Sequence, residues 1–379
     1  MTGHVVLVGA GHANLLVVRA ADRLRAAGLE VTLVDPGVFW YSGMAAAVAG
    51  GAVDPGRDRV DPGPLARRVG VRVVRARAVA LDPAAGHLDL DDGTRLEATA
   101  VVVNVGSEVD PRGLPLDLPN VTPAKPTTGL LDLHDRLRAA PPGRRVVVVG
   151  SGASAVELAG NLTSGAGLHA ARPRVTIVGS GPLVPPVDAD VRAYLTASLV
   201  RRGVALVLGP RVVDLTGEAV VLDDGRELPA DEVVLATGLR AAPAVARLGL
   251  GDEGGMPTTT TLQHPEHPNV FGAGDAIRFA GTGLPRLGVF AVRQAPVLVD
   301  NLLALHAGTP LRNYEPQERL LTAVDLGGGD AVLMWRDRRL HGRLALVVKR
   351  LLDEWFLRRH RVPLGSSGRA WQRGDATAP

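Results

Sequence analysis

The sequence predicts an α/β protein built from two doubly wound βαβ units, and three observations predict it. First, two segments read alike, His4–Asn14 (HVVLVGAGHAN) and Arg145–Ala155 (RVVVVGSGASA). Second, each is a continuous apolar run closed by a glycine turn, the pattern of a strand buried on both faces of a parallel sheet. Third, each turn leads into a helical pattern and then a further apolar run, Val31–Val34 in one case and Val175–Val178 in the other.

The elements follow in order. His4–Val8 is the first strand, Leu15–Ala27 a helix, and Val71–Val74 and Val101–Val105 further strands. Asp110–Pro126 is rich in Pro and Gly and reads as a crossing into a second domain. There the second glycine turn opens a helix over Ala155–Leu162, and Val204–Leu208, Val220–Leu222 and Val233–Ala236 read as strands. Asp92-Gly93 and Asp224-Gly225 are hairpin turns. A return crossing falls near Gly249–Pro257, followed by a strand and turn at Asn269–Asp275 and a helix at Leu287–Ala307. Pro296 inside that helix removes an N–H donor and predicts a kink or a break. The expected organisation is therefore a first domain from 1–115 and 251–325, a second from 116–250, and a C-terminal segment from 326–379.

That last segment differs in character. Leu344, Val347, Val348, Leu351, Leu352 and Trp355 form an apolar stripe at helical spacing, flanked by Arg343, Lys349, Arg350, Arg358 and Arg359. Beyond it, Arg361–Pro379 is Gly/Arg/Ser-rich and is expected to fray. From Arg336 to the end there are eleven Arg or Lys against four Asp or Glu, so a basic tail sits on a slightly acidic body. This points to an anionic partner. Nucleic acid is not expected, since aromatics are only 3% and no nucleic-acid motif is present. No signal peptide is recognised, and no apolar run reaches the ~18–20 residues that span a bilayer.

Cysteine is absent from the 379 residues. Thiol nucleophiles, redox disulfides, iron–sulfur clusters and thiolate metal sites are thereby excluded, and no metal site is expected. Arginine supplies almost every cation; Lys125 and Lys349 are the only lysines. A compact ammonium at Lys125 can approach an anion or a ring edge where a planar guanidinium does not fit.

The glycine turns carry the chemistry. Gly9 permits a tight turn, and Gly11 lets backbone approach a pyrophosphate at the N-terminus of the following helix. Asn14 stands where a third glycine is usual, which predicts slightly looser helix–strand packing. Asp35 ends the next strand, where a carboxylate meets an adenosine ribose. Gly150, Gly152 and Ala155 repeat the arrangement, but the second strand ends at Gly179-Ser180 with no acid, so neither NADH nor NADPH is selected. A third turn, Gly272–Asp275, offers Gly274 and Asp275 to a ribityl–phosphate chain.

The order of these motifs, with Ala236-Thr237-Gly238 closing the second domain, resembles the pyridine nucleotide–disulfide oxidoreductase superfamily. The narrower resemblance is to the type II NADH dehydrogenase branch, and within it to the NADH dehydrogenase-like proteins found beside or fused to selenide–water dikinase. Gly9–Asn14 with its His12, Tyr41–Met44, Lys125-Pro126, Gly288–Gln294, Pro316-Gln317 and Gly342–Phe356 carry it. The resemblance implies FAD in the first domain, NADH or NADPH in the second, and electron transfer to a quinone. It places Ser42 and Gly43 along the flavin, and adds His12, Gly106 and Gly238 to the cofactor-binding set. Glu157, Lys125 and Gln294 become the catalytic candidates, while Asn161 stands where the branch often has a second glutamate.

Two questions stay open at this level. The tail helix fits a membrane interface on the inner face of the cell membrane, but equally a dock on its own body or a homodimer contact. The acceptor could instead be an electron-transfer protein docking on the basic tail, or the chain could be a flavin-binding regulator with little NAD(P)H turnover.

Overall fold

A computed structural model describes residues 2–361, apart from 186, 281–282 and 337. The stretch expected to fray lies, from 362 on, outside the described residues. Five parallel strands form the first sheet in the spatial order Val270–Gly272, Ala100–Val103, Gly3–Val8, Leu29–Val34, Arg72–Val74. Val5 pairs with Val31 on one side and Ala100 on the other, and the interior of the central strand is buried. The order along the sheet reverses beside Gly3–Val8, so the first glycine turn lies at a topological switch point, where doubly wound folds place their ligands.

The second sheet repeats this logic. Its parallel order is Val121–Pro123, Glu232–Leu235, Arg145–Val149, Arg174–Gly179, Ala205–Leu208. The second glycine turn leaves the switch point beside Arg145–Val149. Each unit also carries a three-stranded antiparallel sheet, and the expected hairpin turns occur in them, with Gly93 at φ 84° and Gly225 at φ 85°. Ser107–Val109 runs antiparallel to Leu239–Ala241 where the chain passes between the units.

The helix expected over Leu15–Ala27 is two helices, His12–Arg19 and Ala21–Ala26, broken at Ala20. The Pro296 helix, in contrast, runs from Gly288 to Ala307 as one element. By length and composition it could cross a membrane, contrary to the expectation that no segment could. It serves here as a core helix: Phe290, Ala291, Ala295, Leu298 and Leu302 are buried in the first unit.

Three antiparallel strands, Thr322–Gly327, Asp330–Trp335 and Arg338–His341, follow, then the C-terminal helix Arg343–His360. The strands pack on the helix Ala153–Ser164 of the second unit, while the C-terminal helix reaches the first unit through Phe356 and Leu357. The segment is thus a strap across both units. Its helix is turned opposite to the simplest reading of its stripe. Ala345, Leu346, Lys349, Asp353, Phe356, Leu357 and His360 face inward. Leu344 (62% exposed), Leu351 (65%) and Trp355 (58%) face out, with Val347 and Leu352.

Backbones of the two units also touch directly. A Cβ on Gly165 would strike the Gly50 carbonyl and one on Gly50 the Asn161 carbonyl; beside them, where the strap lies on the second unit, one on Gly160 would strike the Leu326 carbonyl. Asn161 is fully buried in this seam, its amide donating to the carbonyls of Glu157 (3.0 Å) and Asp325 (3.2 Å).

Candidate active site

Both glycine turns open on one cavity of about 1650 Å³. That exceeds the ~300–1,000 Å³ of a usual small-molecule site and suits two extended ligands meeting end to end. Gly9, Gly11, His12, Asp35, Ser42, Gly43, Gly106, Lys125, Gly150, Gly152, Glu157, Gly238 and Asp275 all contribute to its wall. Asn14, Ala155, Gly274 and Gln294 do not.

At the first turn Gly9 has φ 86°, a conformation side chains avoid, and a Cβ there would stand 2.7 Å from the Asn104 carbonyl oxygen. A Cβ on Gly11 would collide with the Asn104 side chain. Asn104, which the sequence reading missed, is the organiser. Its Oδ1 accepts from the first-turn N–H groups of Ala13 (3.0 Å) and Asn14 (3.3 Å), and its Nδ2 donates to the Ala273 carbonyl (2.7 Å). It therefore caps the first helix and ties it to the third turn. The one visible signal was a polar residue ending the apolar run Val101–Val103.

Asn14 acts behind the turn. Fully buried, it donates to the carbonyls of Val8, Gly9 and Val102. The amide replaces the expected slack with hydrogen bonds. Asp35 accepts from Ala10 N–H (2.6 Å) and Gly37 N–H (2.9 Å), which fixes its carboxylate at the cavity edge.

Across the cavity, Asp275 Oδ2 accepts from Ser107 Oγ (2.7 Å) and Lys125 Nζ (2.8 Å). Burial alone would raise the Asp275 pKa; the Lys125 ammonium and the two hydrogen bonds overcome it and hold the carboxyl below its usual value. Among the described residues Asp275 Oδ1 has no partner, so it can accept from a ligand hydroxyl. Gln294, only 1% exposed, accepts from Gly274 N–H (2.7 Å) and so steadies this turn from behind. The structure does not bring it to the cavity surface.

The second turn has Gly150 at φ 130° against the Ala236 carbonyl. At Gly152 and Gly106 nothing lies within 4 Å of where a Cβ would be, so bare backbone faces the cavity. Ala155 is buried where the following helix meets its sheet. These cradles, with the Asp35 and Asp275 carboxylates, fit two dinucleotides.

Between the two cradles stands Glu157. Its Oε1 accepts from Asp325 N–H (2.8 Å). Burial raises its pKa to about 7, against the opposing charge of Lys349 and the Asp325 bond. Behind the wall, Lys349 Nζ donates to the Gly43 carbonyl (2.6 Å) and to Asp353 Oδ2 (2.9 Å), and Tyr41 OH donates to Asp353 Oδ1 (2.9 Å). Burial disfavours the Lys349 charge, but Glu157 and Asp353 outweigh it and raise its pKa. Burial likewise raises Asp353, despite Lys349 and Tyr41. Lys349 thus belongs to a buried polar group, not to the basic flank of the stripe. His12 is boxed by Phe39, Tyr41 and Phe356 at ring distances of 4.8, 5.8 and 5.1 Å. Burial lowers its pKa to about 4, so it is neutral at physiological pH.

Residues 3–295 match the family described as pyridine nucleotide-disulphide oxidoreductase. Ferroptosis suppressor protein 1 of Taeniopygia guttata is 25% identical over 343 residues, covering 86% of this chain and 87% of that protein. Demethylphylloquinone reductase NdbB of Synechocystis is 29% identical over 219 residues, 55% of this chain and 53% of that one. Among solved structures, the sulfide:quinone oxidoreductase of Aquifex aeolicus superposes with a TM-score of 0.82 at 20% identity, covering 95% of this chain and 92% of that one. NDH2 of Plasmodium falciparum superposes with a TM-score of 0.80 at 11% identity, over 95% and 96%. With two glycine cradles at two switch points and a family match across most of its length, the chain belongs to the pyridine nucleotide–disulphide oxidoreductases, as an FAD-dependent NAD(P)H oxidoreductase of type II NADH dehydrogenase-like fold.

Proposed function

We propose that this oxidoreductase passes electrons from NAD(P)H to a quinone at a membrane surface. Bound FAD would accept hydride from the nicotinamide and return two electrons to the acceptor. Gly9, Gly11 and Asp35 would hold its ADP part and Asp275 its ribityl–phosphate part, within 1–115 and 251–325. Gly150 and Gly152 would hold NAD(P)H within 116–250. Lys125 keeps Asp275 ionised, and Gln294 acts by positioning the Gly274–Asp275 turn.

The observation that carries the acceptor assignment is Glu157. Reducing a quinone to a quinol consumes two protons as well as two electrons. A carboxyl with pKa near 7 on the cavity wall, backed by Lys349, Asp353 and Tyr41, can hold a proton and release it at physiological pH. With no cysteine the chain has no disulfide route for the electrons. The outward apolar stripe of the C-terminal helix, with Arg343, Arg350, Arg358 and Arg359 exposed beside it, suits a peripheral position on anionic lipid, where quinones dissolve.

The test is anaerobic mixing of the flavin-loaded protein with NADH or NADPH, followed by a short-chain quinone. Bleaching of the visible flavin band and its recovery on adding quinone are expected. A flavin reduced by nucleotide but not reoxidised by quinone would refute the acceptor.

A further inference from the structure

We infer that the second dinucleotide site selects a 2′-phosphate, making NADPH the preferred donor, with Arg211 and Ser180 as the selecting residues. The inference rests on the reading of the second glycine turn as the NAD(P)H site. A site that prefers NADH usually ends its second strand with a carboxylate, which accepts from the adenosine 2′-hydroxyl and repels a 2′-phosphate. Here that strand ends at Gly179, and a Cβ on Gly179 would lie 2.7 Å from Ser151 Cβ, so the backbone is held too close for an acid to stand there. Among the described residues the carboxylates on the cavity wall are Asp35, Asp275 and Glu157. Asp35 is bonded to Ala10, Asp275 to Lys125 and Glu157 to Asp325, so none belongs to this end.

What lines this end of the cavity is a cation, Arg211, paired from outside the wall with Asp223, and a hydroxyl, Ser180. Gly209 N–H donates to the Gly179 carbonyl (2.9 Å), which sets the following turn beside the strand end. Arg211 and Ser180 then both line the cavity, together with Pro185, Val212 and Val213. Val213 is 53% exposed, an apolar surface of the kind an adenine ring covers. Asp223 grips Arg211 on one side only, accepting from its backbone N–H (3.0 Å) and from Nε (3.2 Å). Among the described residues both Nη atoms lack a partner, as does the Ser180 hydroxyl. A guanidinium held at one edge, at the cavity wall, with its side chain 74% exposed and its other donors unpartnered among the described residues, is open to forked recognition of a phosphate. The nearby Asp188 and Asp190 are paired with Arg339 rather than aimed at this turn.

The experiment titrates the full-length, FAD-loaded protein with NADP+ and NAD+ by calorimetry, and with 2′,5′-ADP against AMP. Flavin absorbance serves as the check on folding. NADP+ should bind about tenfold tighter or more than NAD+, the range of one or two charge-assisted hydrogen bonds. The same preference should appear for 2′,5′-ADP over AMP. Arg211→Ala should lower the NADP+/NAD+ affinity ratio at least tenfold, Arg211→Lys should keep part of it, and Ser180→Asp should invert it. Equal binding of NADP+ and NAD+, or a ratio unmoved by both Arg211→Ala and Ser180→Asp, overturns the inference and leaves the NAD(P)H site in place. Absence of binding by all four nucleotides to a flavin-loaded protein overturns the site assignment itself.

Discussion

Glu157→Gln separates the two halves of the proposed reaction and also reports on folding. The amide keeps an oxygen for the Asp325 N–H but can neither ionise nor deliver a proton. Hydride transfer from nucleotide to flavin needs no proton from the protein, so flavin bleaching by NAD(P)H should change only a few-fold. Quinone-driven recovery should slow by about 10²–10⁴, the usual worth of a general acid. In the wild type that recovery should fall as pH rises through about 7, because the protonated carboxyl is the donor. In the variant the pH step should vanish. The substitution should move stability opposite to activity. Folding lifts the Glu157 pKa from 4.5 to about 7. Such a group favours the folded state fully below pH 4.5 and loses that contribution progressively up to about 7. At ~1.4 kcal/mol per pH unit the penalty reaches about 3 kcal/mol at pH 8, less while water fills the cavity and hydrates the carboxylate. Glu157→Gln should therefore raise the melting temperature at pH 8 and leave it nearly unchanged at pH 4. Equal slowing of both half-reactions, or a pH step that survives in the variant, would refute the assignment of Glu157 as proton donor.

Other expectations are narrower. Lys125→Met should leave the Ser107 bond as the remaining hydrogen bond opposing burial at the Asp275 carboxyl, raising its pKa, so that FAD is lost at a higher pH on acidification, as read from flavin released through a desalting column. Asn104→Ala should free two first-turn N–H groups and destabilise the first unit by about 1–2 kcal/mol in urea unfolding, with a lower FAD content after purification. Leu351→Glu with Trp355→Glu should leave stability within about 0.5 kcal/mol, since both side chains are exposed, yet reduce sedimentation with anionic vesicles. Phe356→Ala on the opposite face should cost about 3–5 kcal/mol, because the ring fills the box around His12, Phe39 and Tyr41.

The glycine turns and apolar runs were legible because their geometry is local: a φ of 86° at Gly9 or 130° at Gly150 demands glycine whatever surrounds it. Asn104 was not, because its value lies in three partners far along the chain, Ala13, Asn14 and Ala273. The C-terminal helix misleads for another reason. Both of its faces are periodic, and the simplest rule turns the apolar one inward. Here the inner face must meet the carboxyl of Glu157, the carbonyl of Gly43 and the hydroxyl of Tyr41, so Lys349 and Asp353 go in. A hint was present in the composition: a chain that otherwise uses arginine keeps just two lysines, and each forms a salt bridge to a carboxylate at this site. Gln294, named from the resemblance as a catalytic candidate, bonds the Gly274 N–H behind the third turn and does not line the cavity, a placement that depends on the packing of a distant helix.

The glycine seam between the units has a kinetic consequence. Where side chains separate two bodies, rotamer changes let one slide on the other. Where the Gly50 and Gly165 backbones abut, no such slack exists. The two glycine cradles are then set in a single block, their spacing fixed by peptide thickness. Turnover would proceed by nucleotides and acceptor entering and leaving a standing cleft, with no opening and closing stroke to limit its frequency.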